Sequence, residues 1–304
     1  MPLLVQEAAK LSEADLQRGI IEEIIDKEDL LAVLPFVRTD GKSYDYVREK
    51  TLSEAEFLSP YDPVPEGAAT FDEVSTKLRI LAGDVDIDKF TAETQSDLND
   101  QIAIQLQGKA KGITRKFRRS LAQGDSSVNA KEFDGIDRLV YNDQVIVGGG
   151  NAMSFTMLDE LLDAVPNGAD AIFMTSAHIR ALRAMLRATG GLEPAHIMME
   201  NFGRPMLTHN GVPILVNDFL NVAQDGEGKR TAPIFAARLN ETDGLHGIFG
   251  GASAGVRMEE IGTVQNKDAI RYRVKWYAGL ALKSTKSLAK VADVAMGESG
   301  GPLA

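Results

Sequence analysis

Residues 91–123, TAETQSDLNDQIAIQLQGKAKGITRKFRRSLAQ, form the stretch around which the rest of the chain is arranged. Its apolar residues recur in steps of three or four, at Leu98, Ile102, Leu106, Ala110, Ile113, Phe117 and Leu121. This spacing places them on one stripe of an α-helix. Acidic residues stand early in the stretch and basic residues late, which suits the helix dipole. We therefore predict one helix of about 45 Å, a strut against which other elements pack.

Composition restricts the kinds of protein that this chain can be. Of its 304 residues 44% are hydrophobic, enough for a substantial core, and none is Cys, which removes disulfides, thiolate metal sites and cysteine nucleophiles. The formal charge of -11 argues against a protein whose main task is to grip a phosphate backbone. Charged residues interrupt every apolar run near Met1, and no run reaches the ~20 apolar residues of a membrane helix. We therefore expect a soluble intracellular protein without a signal peptide.

Two extensions precede the long helix. Residues 1–36 form an arm with a narrow apolar helical face, made by Ile20, Ile21, Ile24 and Ile25. The same pattern fits an ordinary first helix that packs on its own subunit. Residues 37–90 alternate in two stretches around a segment that contains Pro60, Pro63 and Pro65, which excludes a central strand or a helix there. We predict a long two-stranded ribbon with an irregular tip. Because such a ribbon is marginal alone, it indicates assembly with a partner.

The chain after residue 134 predicts a compact α/β unit followed by long strands. Residues 135–251 contain a helix that Ser154 or Thr156 caps, and buried-looking strands at 169–176, 211–219 and 232–239. Residues 252–295 alternate as extended β-structure, and residues 296–304 form a loose polar tail. With the unit at 91–134 that contains the long helix, the predicted fold class is α+β.

The order of these elements, with their local strings, resembles the major capsid proteins of tailed bacteriophages, which have the Hong Kong 97-like fold. The long helix resembles the spine helix of that family's P-domain. The ribbon, with PVPEG at 63–67 and TFDEV at 70–74, resembles its extended E-loop. Three strings resemble parts of that family's A-domain and the junction that enters it: FDGIDRLV at 133–140, ADAIFMTSAHIRALRAML at 169–186 and GVPILVNDF at 211–219. IRYRVKWYAGLAL at 270–282 resembles the late strand that returns to the P-domain.

The resemblance implies a non-enzymatic subunit that assembles with itself into hexamers and pentamers of an icosahedral shell around double-stranded DNA. It implies a virion protein, assembled in the bacterial cytoplasm, without cofactor or membrane. Its expected partners are a portal, possible decoration proteins and a separate scaffolding protein, because only about 36 residues precede the ribbon. Encapsulins, which are cargo-holding protein shells, share the fold and remain the alternative.

The resemblance gives two groups of candidate residues, one for the contacts between subunits and one for the core of the spine helix. The expected assembly contacts are the four isoleucines of the arm and the aromatic residues of the ribbon, Phe57, Tyr61 and Phe71. The expected core of the spine helix consists of Leu98, Ile102, Leu106, Ile113, Phe117 and Leu121.

One motif offers a function of another class. The string Gly251–Gly255 matches the G-x-S-x-G nucleophile elbow, with Ser253 as the nucleophile of a serine hydrolase. That elbow needs a helix after it, and an Asp and a His later in the chain. Here a strand-like pattern follows, and the last histidine, His246, comes before Ser253. We therefore expect a turn of small residues.

Other chemical motifs predict structure instead of chemistry. Gly148, Gly149 and Gly150 lack the residues of a nucleotide-binding loop and predict a plain loop. The four histidines lack the spacing of a metal site; they are His178, His196, His209 and His246. The basic run of Arg115, Lys116, Arg118 and Arg119 predicts ion pairs at the end of a helix, with contact to packaged DNA as the alternative. Some resembled proteins crosslink a ribbon Lys to a late Asn, but no motif selects among Lys42, Lys50, Lys77 and Asn266.

Overall fold

The computed structural model describes residues 29–53, 55–60, 64, 66–90, 101–188, 196–198, 205–224, 229–251 and 255–296. The isoleucine face of the arm, Tyr61, Leu98, Ser253 and the end of the tail lie outside these ranges, as does the side chain of Ile102. Expectations for these residues stay predictions. Among the helices that fall inside the ranges, none is both long enough and apolar enough to span a membrane.

The described chain contains five α-helices, two short 3-10 turns and fifteen strands. The helices are α1 (Leu30–Val33), α2 (Gln101–Gln123), α3 (Ile136–Leu139), α4 (Phe155–Asp163) and α5 (Ser176–Ala188). The first strands are β1 (Phe36–Thr39), β2 (Ser43–Thr51), β3 (Thr70–Lys77), β4 (Arg79–Asp88), β5 (Val145–Val147), β6 (Ala171–Met174) and β7 (His196–Met198). The later strands are β8 (Pro205–His209), β9 (Val212–Val216), β10 (Ala223–Gln224), β11 (Arg230–Ala237), β12 (Leu245–Gly250), β13 (Arg257–Thr263), β14 (Ala269–Leu282) and β15 (Leu288–Ala295).

A five-stranded sheet is built around the long strand β14. Strands β4 and β13 pair antiparallel with the same part of β14 and therefore lie on its two sides. The end of β14 pairs with β12, which takes β1 as a parallel neighbour. Residues 79–90 had been assigned to the ribbon together with β2 and β3. The structure places β4 in this sheet instead, because its aspartates stand opposite the arginines of β14.

An eight-stranded sheet forms the second layer, in the order β5-β15-β11-β6-β9-β8-β7, with β10 beside β11. Strand β15 pairs with β11 and β5, whereas residues 252–295 had been predicted to return to the P-domain, which contains the long helix. Its buried residues explain the difference, because Leu288, Ala289, Val291 and Val294 join the cores on this sheet. The C-terminal strands are thus divided between the two sheets.

The long helix α2 lies against the first sheet with its predicted stripe inward. Ile113, Phe117 and Leu121 are buried, and Leu106 and Ala110 are half-buried. The described helix has 23 residues, a length of about 35 Å. The ring of Phe117 lies 4.1 Å from that of Trp276 and 5.4 Å from that of Phe133, measured between centroids. The last turn of α2 contains no basic residue that could interact with the helix dipole. The apolar stripe therefore explains how α2 packs on the sheet better than the helix dipole does.

The segment before the ribbon belongs to the subunit body from residue 29 onward. Leu30 and Leu34, which the sequence had placed in the arm, are buried with Phe117 and Leu121. The backbone N–H of Asp29 donates to the carbonyl of Val216 at 2.9 Å, and its carboxylate accepts from the N–H of Val216 at 3.1 Å. These bonds fasten the start of the described chain to the eight-stranded sheet.

Candidate assembly interface

The ribbon of β2 and β3 projects from the subunit as a separate two-stranded sheet. Its pairing runs from Ser43 opposite Lys77 to Thr51 opposite Thr70, and in the described ranges neither strand pairs with any other. No residue of the two strands is buried. A two-stranded ribbon without a packed face has little stability of its own in water. The subunit thus presents an extended element that lacks a complete core.

Large apolar side chains are exposed along the ribbon and its tip. Phe57 is fully exposed, and Leu52, Val64, Phe71 and Val47 are more than 60% exposed. Burial of one such side chain is worth about 1.5–3 kcal/mol. Because these exposed side chains belong to one two-stranded element and its tip, they offer apolar surface of the kind that binds another protein. We call the segment between the two strands, residues 52–69, the ribbon tip.

The root of the ribbon is fastened to the end of β14 by polar bonds. The hydroxyl of Tyr46 donates to the carbonyl of Leu282 at 2.6 Å, and Nε of Arg48 donates to the carbonyl of Lys283 at 2.6 Å. The guanidinium of Arg48 also donates to the carbonyl of Leu282 and to the hydroxyl of Tyr141. Burial raises the pKa of Tyr46, so its hydroxyl remains a donor at neutral pH. The ribbon is therefore anchored to the subunit body at its root.

A buried histidine lies beneath this root. His246 of β12 is completely buried, and the ring of Tyr44 meets its imidazole edge-on at 5.4 Å between centroids. Its Nδ1 lies 3.3 Å from the carbonyl of Gly244, while its Nε2 has no hydrogen-bond partner in the described chain. Burial lowers the pKa of His246, and burial likewise lowers that of His178. Both imidazoles are neutral at pH 7.

Acid is expected to destabilise the subunit partly through these two histidines. The unfolded chain binds protons near the ordinary pKa of 6.5, whereas the folded chain binds them only at lower pH. Stability is therefore lost as the pH falls below about 6.5. His246→Asn should reduce the loss of melting temperature between about pH 7.5 and pH 5. Thermal melting at each pH measures this, and His178→Asn provides the matched comparison. An unchanged pH dependence in both variants would contradict the assignment.

A cavity of about 600 Å³ lies between the ribbon root and residues 126–142. Its lining contains four cations, Arg48, Lys77, Arg79 and Arg138, and one carboxylate, Asp134. No histidine stands beside its serines, so this lining lacks the nucleophile and base of a hydrolytic site. Across the residues that the structure describes, no cluster of three or more His, Asp or Glu side chains could hold a metal.

The glycine motifs lie in turns and loops. Gly251 has φ of +100° and follows β12, and the next element, β13, is a strand. This geometry contradicts the nucleophile elbow, because the elbow requires a helix at that place. Gly149 and Gly150 have φ of +61° and +69° in the loop before α4, and the carbonyl of Gly150 accepts a bond from Lys229. Both motifs are explained by backbone conformations that favour glycine.

Three of the remaining candidates take part in surface pairs, namely Lys50, Lys116 and His209. Lys116 forms an ion pair with Glu132 at 2.5 Å, and Lys50 pairs with Asp72 at 3.5 Å. Asn266 occupies the turn between β13 and β14 with φ of +61°. His209 pairs with Asp159 at 2.7 Å. The structure thus places Phe57 and Phe71 on the ribbon with their side chains exposed.

Comparison with known proteins finds matches by structure and none by sequence. No protein-family model matches the sequence, and no curated protein sequence does. Solved structures match over nearly the whole chain. The holo-SrpI encapsulin complex from Synechococcus elongatus PCC 7942 has a TM-score of 0.75 and 19% identity, over 98% of each chain. The capsid of an empty GTA particle has a TM-score of 0.71 and 15% identity, over 94% of this chain and 96% of that one.

A phage structure gives the same result. The capsid of the Myoviridae phage XM1 has a TM-score of 0.62 and 13% identity, over 94% of this chain and 98% of that one. All three structures are of capsids or an encapsulin, so the fold is that of capsid subunits. The chain has the Hong Kong 97-like capsid fold, as predicted from the sequence.

Proposed function

We propose that this chain is the major capsid protein of a tailed bacteriophage, which assembles into hexamers and pentamers of an icosahedral shell around double-stranded DNA. It has no catalytic role in this proposal. The observation that carries it is the ribbon, anchored at its root and apolar at its exposed tip. Within a shell, the tip of one copy lies on a neighbouring copy and loses its contact with water.

The proposal includes several partners. A separate scaffolding protein directs the curvature of the shell, a portal occupies one vertex, and decoration proteins bind its outside. The structure of phage G contains major capsid proteins together with decoration proteins, which supports the last of these. The shell is assembled in the bacterial cytoplasm and becomes part of the virion. DNA is enclosed without sequence-specific contacts.

An encapsulin-like shell that holds protein cargo is the second candidate. The observation that favours it is the match to the SrpI encapsulin complex over 98% of both chains, with a TM-score of 0.75. The two candidates share the shell and differ in what it encloses. The contents of the particle therefore separate them.

The test is to purify particles from cells that naturally make the protein and to treat them with nuclease. A phage capsid is expected to contain long double-stranded DNA that the shell protects. One abundant second protein, without protected DNA, would show the encapsulin-like function instead. Particles opened by detergent-free disruption before nuclease treatment serve as the control, since their DNA should be degraded.

Removal of residues 1–28 is expected to leave a folded subunit that assembles poorly. The described body begins at Asp29, so the truncation spares the bonds to Val216 and the buried Leu30. The four isoleucines that the sequence predicts on one helical face would carry more apolar surface than a free arm should expose. Sedimentation should show a shift from shells to free capsomers, with an unchanged melting temperature of the subunit. Intact shells with the full-length stability would contradict a locking role for the arm.

A further inference from the structure

Helix α4 exposes a strip of acidic side chains. Asp159, Glu160 and Asp163 are exposed, while Leu158 and Leu161 on the opposite side are completely buried. Asp159 accepts bonds from His209 and Asn210 at 2.7 and 2.8 Å. The carboxylates of Glu160 and Asp163 have no ion-pair partner among the residues that the structure covers. Two negative charges therefore have no counter-charge among the described residues.

Helix α5 exposes a strip of the opposite sign. Arg180, Arg183 and Arg187 follow one another at helical spacing, and all three are exposed. In the described parts of the chain none of them forms an ion pair. Arginine binds carboxylates with two parallel hydrogen bonds and is favoured where an interface pairs charges.

Both helices are held rigidly on the same face of the eight-stranded sheet. Ile172 and Met174 of β6 pack in one core with the buried residues of α4 and α5. The hydroxyl of Ser154 caps α4 by accepting from the N–H of Met157 at 3.2 Å. The start of α5 is fixed by Asp218, whose carboxylate accepts from the N–H and the hydroxyl of Ser176 at 2.7 and 2.6 Å. The two strips are preorganised for binding, which lowers its entropic cost.

We propose that the acidic strip of α4 in one copy pairs with the arginine strip of α5 in the next copy, head to tail around a capsomer. This inference rests on the proposed function and names the contact that closes its rings. The strips are complementary, and within the described chain Glu160, Asp163 and the three arginines form no ion pair. A contact between two different surfaces of identical copies generates a ring when the rotation closes. The partner at this surface is therefore a second copy of the chain.

Charge exchange tests the pairing with three variants of the full chain. The first carries Glu160→Lys and Asp163→Lys, the second carries Arg183→Glu and Arg187→Glu, and the third carries all four substitutions. Asp159 is kept because it bonds to His209. Each variant is purified, its melting temperature is measured, and its assembly is measured by sedimentation and electron microscopy beside the wild type. All positions are exposed, so the melting temperature of the subunit should change little.

The first and second variants should each lose assembly by about tenfold or more, because like charges then face each other. The third variant should recover it, since the strips are again complementary. An equal mixture of the first and second variants should form hexamers and fail to close shells. In that mixture only unlike variants attract each other, so the two must alternate around a ring. A ring of six can alternate throughout, whereas a ring of five always contains one contact between like charges.

Three results would overturn the pairing. Wild-type assembly by both two-substitution variants would show that the strips lie outside the interface, and the proposed function would stand. A folded four-substitution variant that stays unassembled would show that the strips do not face each other. Wild-type protein that forms neither capsomers nor shells would overturn the proposed function, and this inference with it.

Discussion

Phe117→Asp is expected to lower the free energy of unfolding by about 4 kcal/mol or more, which is a large part of the stability of a typical domain. Phe117 is 1% exposed, and its ring lies 4.1 Å from that of Trp276. A carboxylate placed there loses its hydration and gains no cation in return. Trp276 is the single Trp of the chain, so a red shift of its fluorescence reports the loss of packing directly.

The matched control is Gln107→Asp, which places the same charge on the same helix at an exposed position. It should leave the fluorescence and the melting temperature nearly unchanged. Ile113→Asp, one turn earlier and 5% exposed, should resemble Phe117→Asp. Shells made of soluble Phe117→Asp protein would contradict the inward orientation of this face of α2.

Replacing residues 54–69 by a short glycine-serine linker is expected to abolish shells while the subunit stays folded. Thr51 and Thr70 stand opposite each other, with their hydroxyl oxygens 2.6 Å apart, so a short linker can join the strands. Because no described residue of the tip is buried, the free energy of unfolding should change by less than about 1 kcal/mol. Circular dichroism and melting measure the fold, and electron microscopy counts the shells.

Point substitutions in the full-length ribbon distinguish the loss of apolar contacts from the shortening of the ribbon. Leu52→Ser and Phe57→Ser together remove two exposed apolar side chains and should lower shell yield strongly. Glu56→Ser truncates an exposed neighbour without loss of apolar surface and should assemble as the wild type does. Unfolding of the subunit when the tip is shortened would place the ribbon in the central core and would contradict its role as a contact between copies.

Elements with strong local periodicity were predicted well. The stripe at Ile113, Phe117 and Leu121 follows from helical spacing alone, and the buried strand at 171–174 follows from its apolar run and flanking turns. The ordered set of strings then led to the Hong Kong 97-like fold, which the solved structures show. Local patterns and their order along the chain were therefore enough to predict the fold class.

Pairings between distant segments were predicted less well. Strand β4 was assigned to the ribbon because residues 74–90 alternate as one continuous stretch, and local alternation does not identify a partner. The charges could have predicted this pairing, since Asp84 and Asp86 alternate in β4 as Arg271 and Arg273 do in β14. The bidentate bonds from Arg271 to Asp86 and from Arg273 to Asp84 lower the pKa of both carboxyls.

The anchoring of the ribbon could not be predicted from its own residues. Tyr46 and Arg48 bind the carbonyls of Leu282 and Lys283, and a backbone carbonyl is present at every residue of the sequence. Which carbonyls lie within reach depends on how the two sheets are arranged. The aromatic residues of the tip, by contrast, were identified as candidates because apolar side chains beside prolines have no core of their own.

The central claim is that this chain builds closed shells through contacts between copies. Electron cryomicroscopy of the protein purified from cells that naturally make it tests it most directly, because a scaffolding protein that directs curvature is then present. The account predicts closed icosahedral particles with pentamers and hexamers, in which the ribbon tip of each subunit lies on a neighbouring subunit. A protein that remains monomeric at high concentration, with the ribbon folded back on its own body, would contradict it.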